Sequence, residues 1–154
     1  MKYVCALLTV ENIERSRNFY ETVLNQKVEF DFGENVSFGQ FAIHLKSHYQ
    51  ILIEKDVRVG KNNVELYFED DNIELLFELL KQQGVQFVHE LREQPWKQKV
   101  FRLYDPDNYV VEIEETMESL CFRLSEEKSS HEEIARMTSL PIEFVQKAVE
   151  EFRK

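Results

Sequence analysis

Hydrophobic and polar positions along the chain fall into a pattern that is stated twice, about 57 residues apart. The first statement opens with a short apolar run from Tyr3 to Val10 and continues with a helical spacing of Ile13, Phe19, Tyr20, Val23 and Leu24. Strand-like runs follow near 26–32, 35–39 and 40–46, with Gly33-Glu34-Asn35 marking a turn. Residues 48–60 carry a brief apolar run (Ile51, Leu52, Ile53) and then a charged connector ending at Gly60-Lys61-Asn62, where the two statements join. The second statement has a strand over 63–69 and a helix over 72–83 stopped by Gly84, then strands near 85–90, 98–104 and 109–114. Asp105-Pro106-Asp107-Asn108 reads as a tight turn, since Pro fixes φ and Asn tolerates a left-handed backbone. The pattern predicts an α+β fold of two βαβββ modules, with eight strands in mixed sheets.

Beyond Glu115 strand periodicity stops, and 117–154 predicts two or three helices. Ser129-Ser130-His131-Glu132-Glu133 has the form of a helix start with acidic residues in its first turn. Leu140-Pro141-Ile142 opens another helix, whose apolar stripe is Phe144, Val145, Ala148, Val149 and Phe152. The expected organisation is a domain over 1–116, with modules about 1–60 and 61–116, followed by a helical extension over 117–154.

Composition narrows the function classes. The hydrophobic share of 43%, with twelve Phe and six Tyr, supplies a sizeable core. A net charge of −10 disfavours a polyanionic partner, so no nucleic acid is expected. The tail resembles a helix-turn-helix over 132–145, but its eight acidic and six basic residues from Met117 onward are wrong for a DNA reader. No apolar run is long enough for a membrane span, and the start of the chain lacks a secretory signal pattern. Two widely spaced cysteines, Cys5 and Cys121, point to reduced thiols and a cytoplasmic setting.

Two stretches carry a family resemblance. Val10-Glu11-Asn12-Ile13-Glu14-Arg15-Ser16-Arg17-Asn18-Phe19-Tyr20 resembles the strand-to-helix signature of the vicinal oxygen chelate superfamily. Asp105-Pro106-Asp107-Asn108-Tyr109-Val110-Val111-Glu112 resembles its final hairpin and closing strand. That superfamily includes glyoxalases, bleomycin-resistance proteins and extradiol dioxygenases, and the resemblance spans about residues 3–115. The sequence is also similar to bacterial cup proteins that carry a helical tail. The resemblance implies paired modules curled into a cup, a small-molecule ligand and a homodimer. Metal-using members place four ligands on the inner face, and those positions fall on Cys5, His44, Asn63 and Glu112. The usual set is His, Glu, His and Glu, so only Glu112 matches in kind.

Strand alternation supports the face assignment independently. Val110, Glu112 and Glu114 share one face of the last strand, and Ala42, His44 and Lys46 one face of the fourth. Asn63, Glu65 and Tyr67 share one face of the fifth. The greasy faces are expected under the helices and the polar faces toward the cup. Cys5, His44, Asn63, Glu65, Tyr67, Arg102, Tyr104 and Glu112 would then converge on one concavity suited to a small polar or aromatic ligand. His89 and Trp96, with Gln98, are expected in or beside a rim loop over 90–97, although Trp96 also suits a core-sealing position.

Each candidate has a structural reading beside the functional one. In the simplest hairpin register Arg102 faces Glu112 and neutralises it. Cys5 suits a small buried apolar residue, and His44 a histidine bonded to a strand neighbour such as Glu65. The favoured expectation is a small-molecule-binding protein without metal or other cofactor at the usual position, with Glu112 first, and His44 or Glu65 beside it, as candidates for acid–base chemistry. One alternative is a metal-dependent lyase, isomerase or dioxygenase holding a divalent metal on Cys5, His44 and Glu112. The other is a ligand-sensing module that recruits a partner through its tail.

Overall fold

The computed structural model describes residues 1–152. The fold is α+β, with two four-stranded mixed sheets and helices. In chain order the elements are β1 (Ala6–Val10), α1 (Ile13–Asn18) continuing as a π-helical turn (Phe19–Val23), β2 (Phe30–Asp31), β3 (Asn35–Ser37), β4 (Phe41–Leu45) and α2 (Lys46–Ile53). There follow β5 (Glu65–Asp70), α3 (Ile73–Gln82), β6 (Phe87–Glu93), β7 (Lys99–Tyr104), β8 (Val110–Glu115), α4 (Met117–Glu126), α5 (His131–Thr138) and α6 (Ile142–Phe152). One sheet runs β1-β4-β3-β2 and the other β5-β8-β7-β6. The chain forms two compact units, 1–65 with 104–110 and 66–103 with 111–154.

In the first unit β1 pairs parallel to β4, and β4, β3 and β2 continue antiparallel. Alternation places Leu8, Val10, Val36 and Ile43 on one face, all buried. Tyr20 joins that core: its ring packs 5.0 Å from Phe41 and 5.6 Å from Phe38. The Asn12 side chain caps α1 by accepting from the Arg15 amide, and the helix then widens into the π-turn that carries Phe19 and Tyr20 inward.

The two signature stretches meet inside this unit. Asp107 Oδ1 accepts from Arg15 at 2.6 Å, and its Oδ2 accepts from the Ser16 hydroxyl at 2.9 Å. Tyr20 donates to Asp105 Oδ2 at 2.8 Å, while Asp105 Oδ1 accepts from the amides of Asp107 and Tyr109. Tyr109 donates to the Thr9 carbonyl at 2.9 Å. Burial pushes the Asp105 carboxyl above its ordinary value, against the pull of the Tyr20 and backbone hydrogen bonds. The turn itself is as expected, with Asn108 at φ 63° and its amide bonded to the Asp105 carbonyl. Gly60 passes so close that a Cβ there would stand 2.3 Å from the Asp107 carbonyl oxygen.

In the second unit Phe77 of α3 packs 5.4 Å from Phe101 and 5.1 Å from Phe87. Every residue of β8 is buried, so exposure along it does not alternate although chemistry does. Helices α4, α5 and α6 share a core of their own: Leu120, Cys121, Leu124, Ile134, Val145, Ala148 and Val149. Ser130 and Glu133 form a capping box at α5, as the sequence suggests. Arg123 of α4 grips Glu115 with a two-pronged hydrogen bond, both arms 2.9 Å, and donates to the Lys97 carbonyl at 2.7 Å. Among the described residues no helix is long and apolar enough to cross a membrane.

Several expectations need correction. Residues 46–53 form a helix where an apolar run and connector were expected, an addition to the first βαβββ module; β5, α3, β6, β7 and β8 form the second as expected. The strand expected over 26–32 is reduced to Phe30–Asp31. Strand β1 starts at Ala6 and β5 at Glu65, which leaves Cys5 and Asn63 just ahead of their strands. Strand β6 extends to Glu93, so the first residues of the loop expected over 90–97 are strand, and His89 lies within the sheet.

Candidate functional site

The ten candidate residues divide evenly: Cys5, His44, Asn63, Glu65 and Tyr104 in the first unit, and Tyr67, His89, Trp96, Arg102 and Glu112 in the second. Each sheet carries a polar face.

On the first sheet the ladder aligns Thr9 of β1, His44 of β4 and Asn35 of β3 in one row. The Asn35 amide nitrogen is 3.2 Å from His44 Nδ1, and His44 Nε2 is 2.9 Å from Nδ1 of His48 on α2. An amide NH₂ only donates, so His44 Nδ1 accepts and His44 Nε2 carries the proton it gives to His48. His44 is buried, and burial first and His48 second lower its pKa from the ordinary 6.5, with Glu34 pulling the other way. The partner expected for His44, Glu65, is instead an exposed residue at the start of β5. Cys5 is only partly buried, not the enclosed apolar residue expected, and Asn63 is exposed.

On the second sheet a row of polar contacts runs across the strands. The expected pair between Arg102 on β7 and Glu112 on β8 is present: the Arg102 guanidinium lies against Glu112 Oε2, with side-chain exposures of 26% and 9%. That oxygen has no aligned hydrogen bond among the described residues, so the contact is an ion pair. Arg102 also reaches His89 Nε2 at 3.1 Å, and His89 Nδ1 lies 2.9 Å from the Glu90 carbonyl. A carbonyl only accepts and a guanidinium only donates, so in this arrangement His89 Nδ1 is the donor and Nε2 the acceptor. The ladder explains why His89 faces Arg102. Phe87 pairs with Leu103, a register shift follows, and His89 then pairs with Arg102. Without that bulge His89 would face the Phe87 side of the sheet. Tyr67 on β5 donates to Glu69 at 2.5 Å, with buried Glu114 of β8 at 3.4 Å. Burial and these carboxylates raise the Tyr67 phenol far above its ordinary value.

Trp96 is 47% exposed, so it seals no core; its indole donates to buried Gln98, which in turn donates to the Glu115 carbonyl. Tyr104, at the end of β7, is half-buried. The residues that sequence reading missed are Asn35, His48 and Glu114. His48 follows His44 by four positions, but its segment was read as a connector and the helix that brings it back was not seen.

The positions that the resemblance implies for metal do not fit one. His44 has its lone pair on Asn35 and its N–H on His48, leaving no free nitrogen. Glu112 is already matched by a cation. Among the described residues no three His, Cys, Asp or Glu side chains gather as a metal set. What the two faces offer instead is directed hydrogen bonding and one partly buried ion pair.

Comparisons with known proteins agree with this architecture. A family model described as a glyoxalase-like domain matches residues 3–118. Among solved structures, a protein of unknown function from Agrobacterium tumefaciens is 35% identical, covering 76% of this chain and 95% of its own, with a TM-score of 0.69. A glyoxalase-related enzyme from Fulvimarina pelagi (20% identity, 75% and 88% coverage, TM-score 0.64) shares the fold. So does a member of the glyoxalase/bleomycin resistance protein/dioxygenase superfamily from Sphaerobacter thermophilus (22% identity, 75% and 98% coverage, TM-score 0.57). No significant match was found among curated proteins. With its two signature stretches locked together and the family model spanning both sheets, the chain belongs to the glyoxalase-like domain family of the vicinal oxygen chelate superfamily.

Proposed function

We propose that this protein binds a small organic molecule on the polar faces of its sheets and works without metal at the positions its superfamily uses. The observation that carries the reading is that His44 and Glu112 are both spent internally, one between Asn35 and His48 and the other on Arg102. A metal would have to break the His44–His48 bond and strip Arg102 from a buried carboxylate, a large cost before any coordination is gained. With Arg102 against it, Glu112 is better suited to ligand recognition than to free proton transfer. Partly exposed Arg102 supplies donors on the second sheet, and His48, through the ring nitrogen that His44 does not engage, supplies a polar group on the first. Neither cysteine is in a disulfide, which suits a reducing cytoplasm. The reading includes a homodimer, supported by exposed Leu7 on the edge strand β1 and exposed Tyr3 and Val4 just ahead of it.

The test is the metal content of untagged protein after incubation with zinc, nickel, manganese and ferrous ions, read by plasma mass spectrometry. The expected result is no stoichiometric metal. Near one ion per chain, lost in His44→Ala or Glu112→Ala, would overturn the reading in favour of a metal-dependent enzyme. Light scattering on the same sample checks the dimer.

A further inference from the structure

Helix α2 contributes nothing to the core. None of its eight residues is buried, whereas α3 buries Ile73, Phe77 and Leu80, and α6 buries Val145, Ala148 and Val149. His48, Ile51 and Leu52 lie along one stripe of α2 by helical spacing. His48 meets the sheet through His44, while one turn on Ile51 and Leu52 are 73% and 60% exposed. A helix this short does not hold itself in water, and packing of an apolar face is what ordinarily secures one. The ends of α2 give little help. Leu45 stands at the N-cap without a side-chain bond, and Glu54 at the C-cap takes a left-handed φ of 54°, a conformation suited to glycine.

What ties α2 down is polar. His44 Nε2 lies 2.9 Å from His48 Nδ1, with the two rings 5.1 Å apart, and the Tyr49 ring is 5.4 Å from that of His44. Lys46 pairs with Glu11 at 2.6 Å, and Gln50 donates to Asp56 at 3.3 Å. These last two are exposed bonds that water replaces at little net cost. Strand β4 beneath is held differently: Phe41, Ala42, Ile43 and His44 are buried, and the strand is paired on both edges, to β1 and β3. A helix held by exchangeable contacts beside such a strand opens by itself while the sheet stays intact. His44 Nε2 is then left without its acceptor.

We propose that α2 is a displaceable cover over the polar face of the first sheet: folded, it occupies His44 through His48 and Tyr49, and opened, it gives a ligand access to that histidine. The proposal rests on the reading above that this face receives a small molecule, and adds how the face is closed.

The test follows full-length protein, without ligand, by hydrogen exchange resolved to single amides. The α2 amides should exchange on the order of 100-fold faster than those of β4. Equal rates would mean that α2 leaves only when the sheet unfolds, which overturns the proposal. Modification of His44 by diethylpyrocarbonate at fixed pH, located by peptide mass spectrometry, reads the access that opening provides. Ile51→Gly and Ile51→Ala alter helix stability at an exposed side chain, so both variants keep the core. His44 should react about fivefold faster in the glycine variant than in the alanine one, with His89 on the second sheet unchanged as a reference. Equal reaction of His44 in the two variants, or the same change at His89, overturns the proposal and leaves the binding reading standing. Stoichiometric metal lost in His44→Ala ends the binding reading itself, and this proposal with it, even where α2 exchanges fast.

Discussion

Tyr20 and Asp105 show at the residue scale how the two signature stretches are joined. Tyr20 is fully buried, and its hydroxyl meets the carboxylate that also holds the turn amides of Asp107 and Tyr109. Tyr20→Phe should cost about 1.5–3 kcal/mol, the range for a hydrogen bond to a charged group. Urea denaturation would measure it, and an unchanged midpoint would mean that the turn is held by its backbone alone. His44 makes a prediction in pH. Its folded pKa lies below the ordinary 6.5, so below that pH the unfolded chain takes up a proton that the folded chain refuses. The stability this group contributes is full above 6.5 and is lost as pH falls toward the folded value. Between about pH 7.5 and 5.5 the denaturation midpoint should fall, and His44→Gln should flatten that fall. An identical slope in the variant would assign the pH dependence elsewhere. For the second sheet, Arg102→Ala should lower stability by about 2 kcal/mol, less than a fully buried pair because Arg102 keeps solvent access. Adding Glu112→Gln should restore part of that loss in a double-mutant cycle.

Individual elements were legible in the sequence to the degree that their signals were local. The Asp105–Asn108 turn, the Ser130 capping box and the Arg102–Glu112 pair were all readable, because each depends on a few residues at fixed spacing. Helix α2 was not, since Ile51 and Ile53 are good strand formers and its first turn has no side-chain cap. That one error hid His48 and hence the tautomer of His44. The pairing of His89 with Arg102 was not legible for a different reason: a bulge changes which face a residue occupies, and nothing in the alternation of Phe87, Val88 and His89 announces it. The capping box offers a clean test at this scale. Ser130→Ala should remove about 1 kcal/mol, read in the unfolding of full-length protein, because it orphans the Glu133 amide. A change below a few tenths would indicate that α5 is held by Ile134 and its neighbours without help from its cap.

Taken as a whole molecule, the chain carries three C-terminal helices whose role divides a packing explanation from a recruiting one. Their core is self-contained, but they are tied to the second sheet through named atoms. Arg123 is the counter-charge for Glu115, whose side chain is 2% exposed, and it also caps the Lys97 carbonyl. Thr116 and Ser119 bind the side chain and carbonyl of Asp71. Truncation after residue 116 would leave a buried carboxylate without its fork, the situation in which removing one partner costs about 3–5 kcal/mol. A marginally stable domain has little more than that to lose. The fragment 1–116 should therefore be markedly destabilised or aggregate, and Arg123→Ala in the full chain should reproduce much of the loss. If the fragment instead melts within a few degrees of the full protein, the helices are not structural supports. Their exposed surface would then have to be explained by a partner, and the ligand-sensing reading would gain over simple binding.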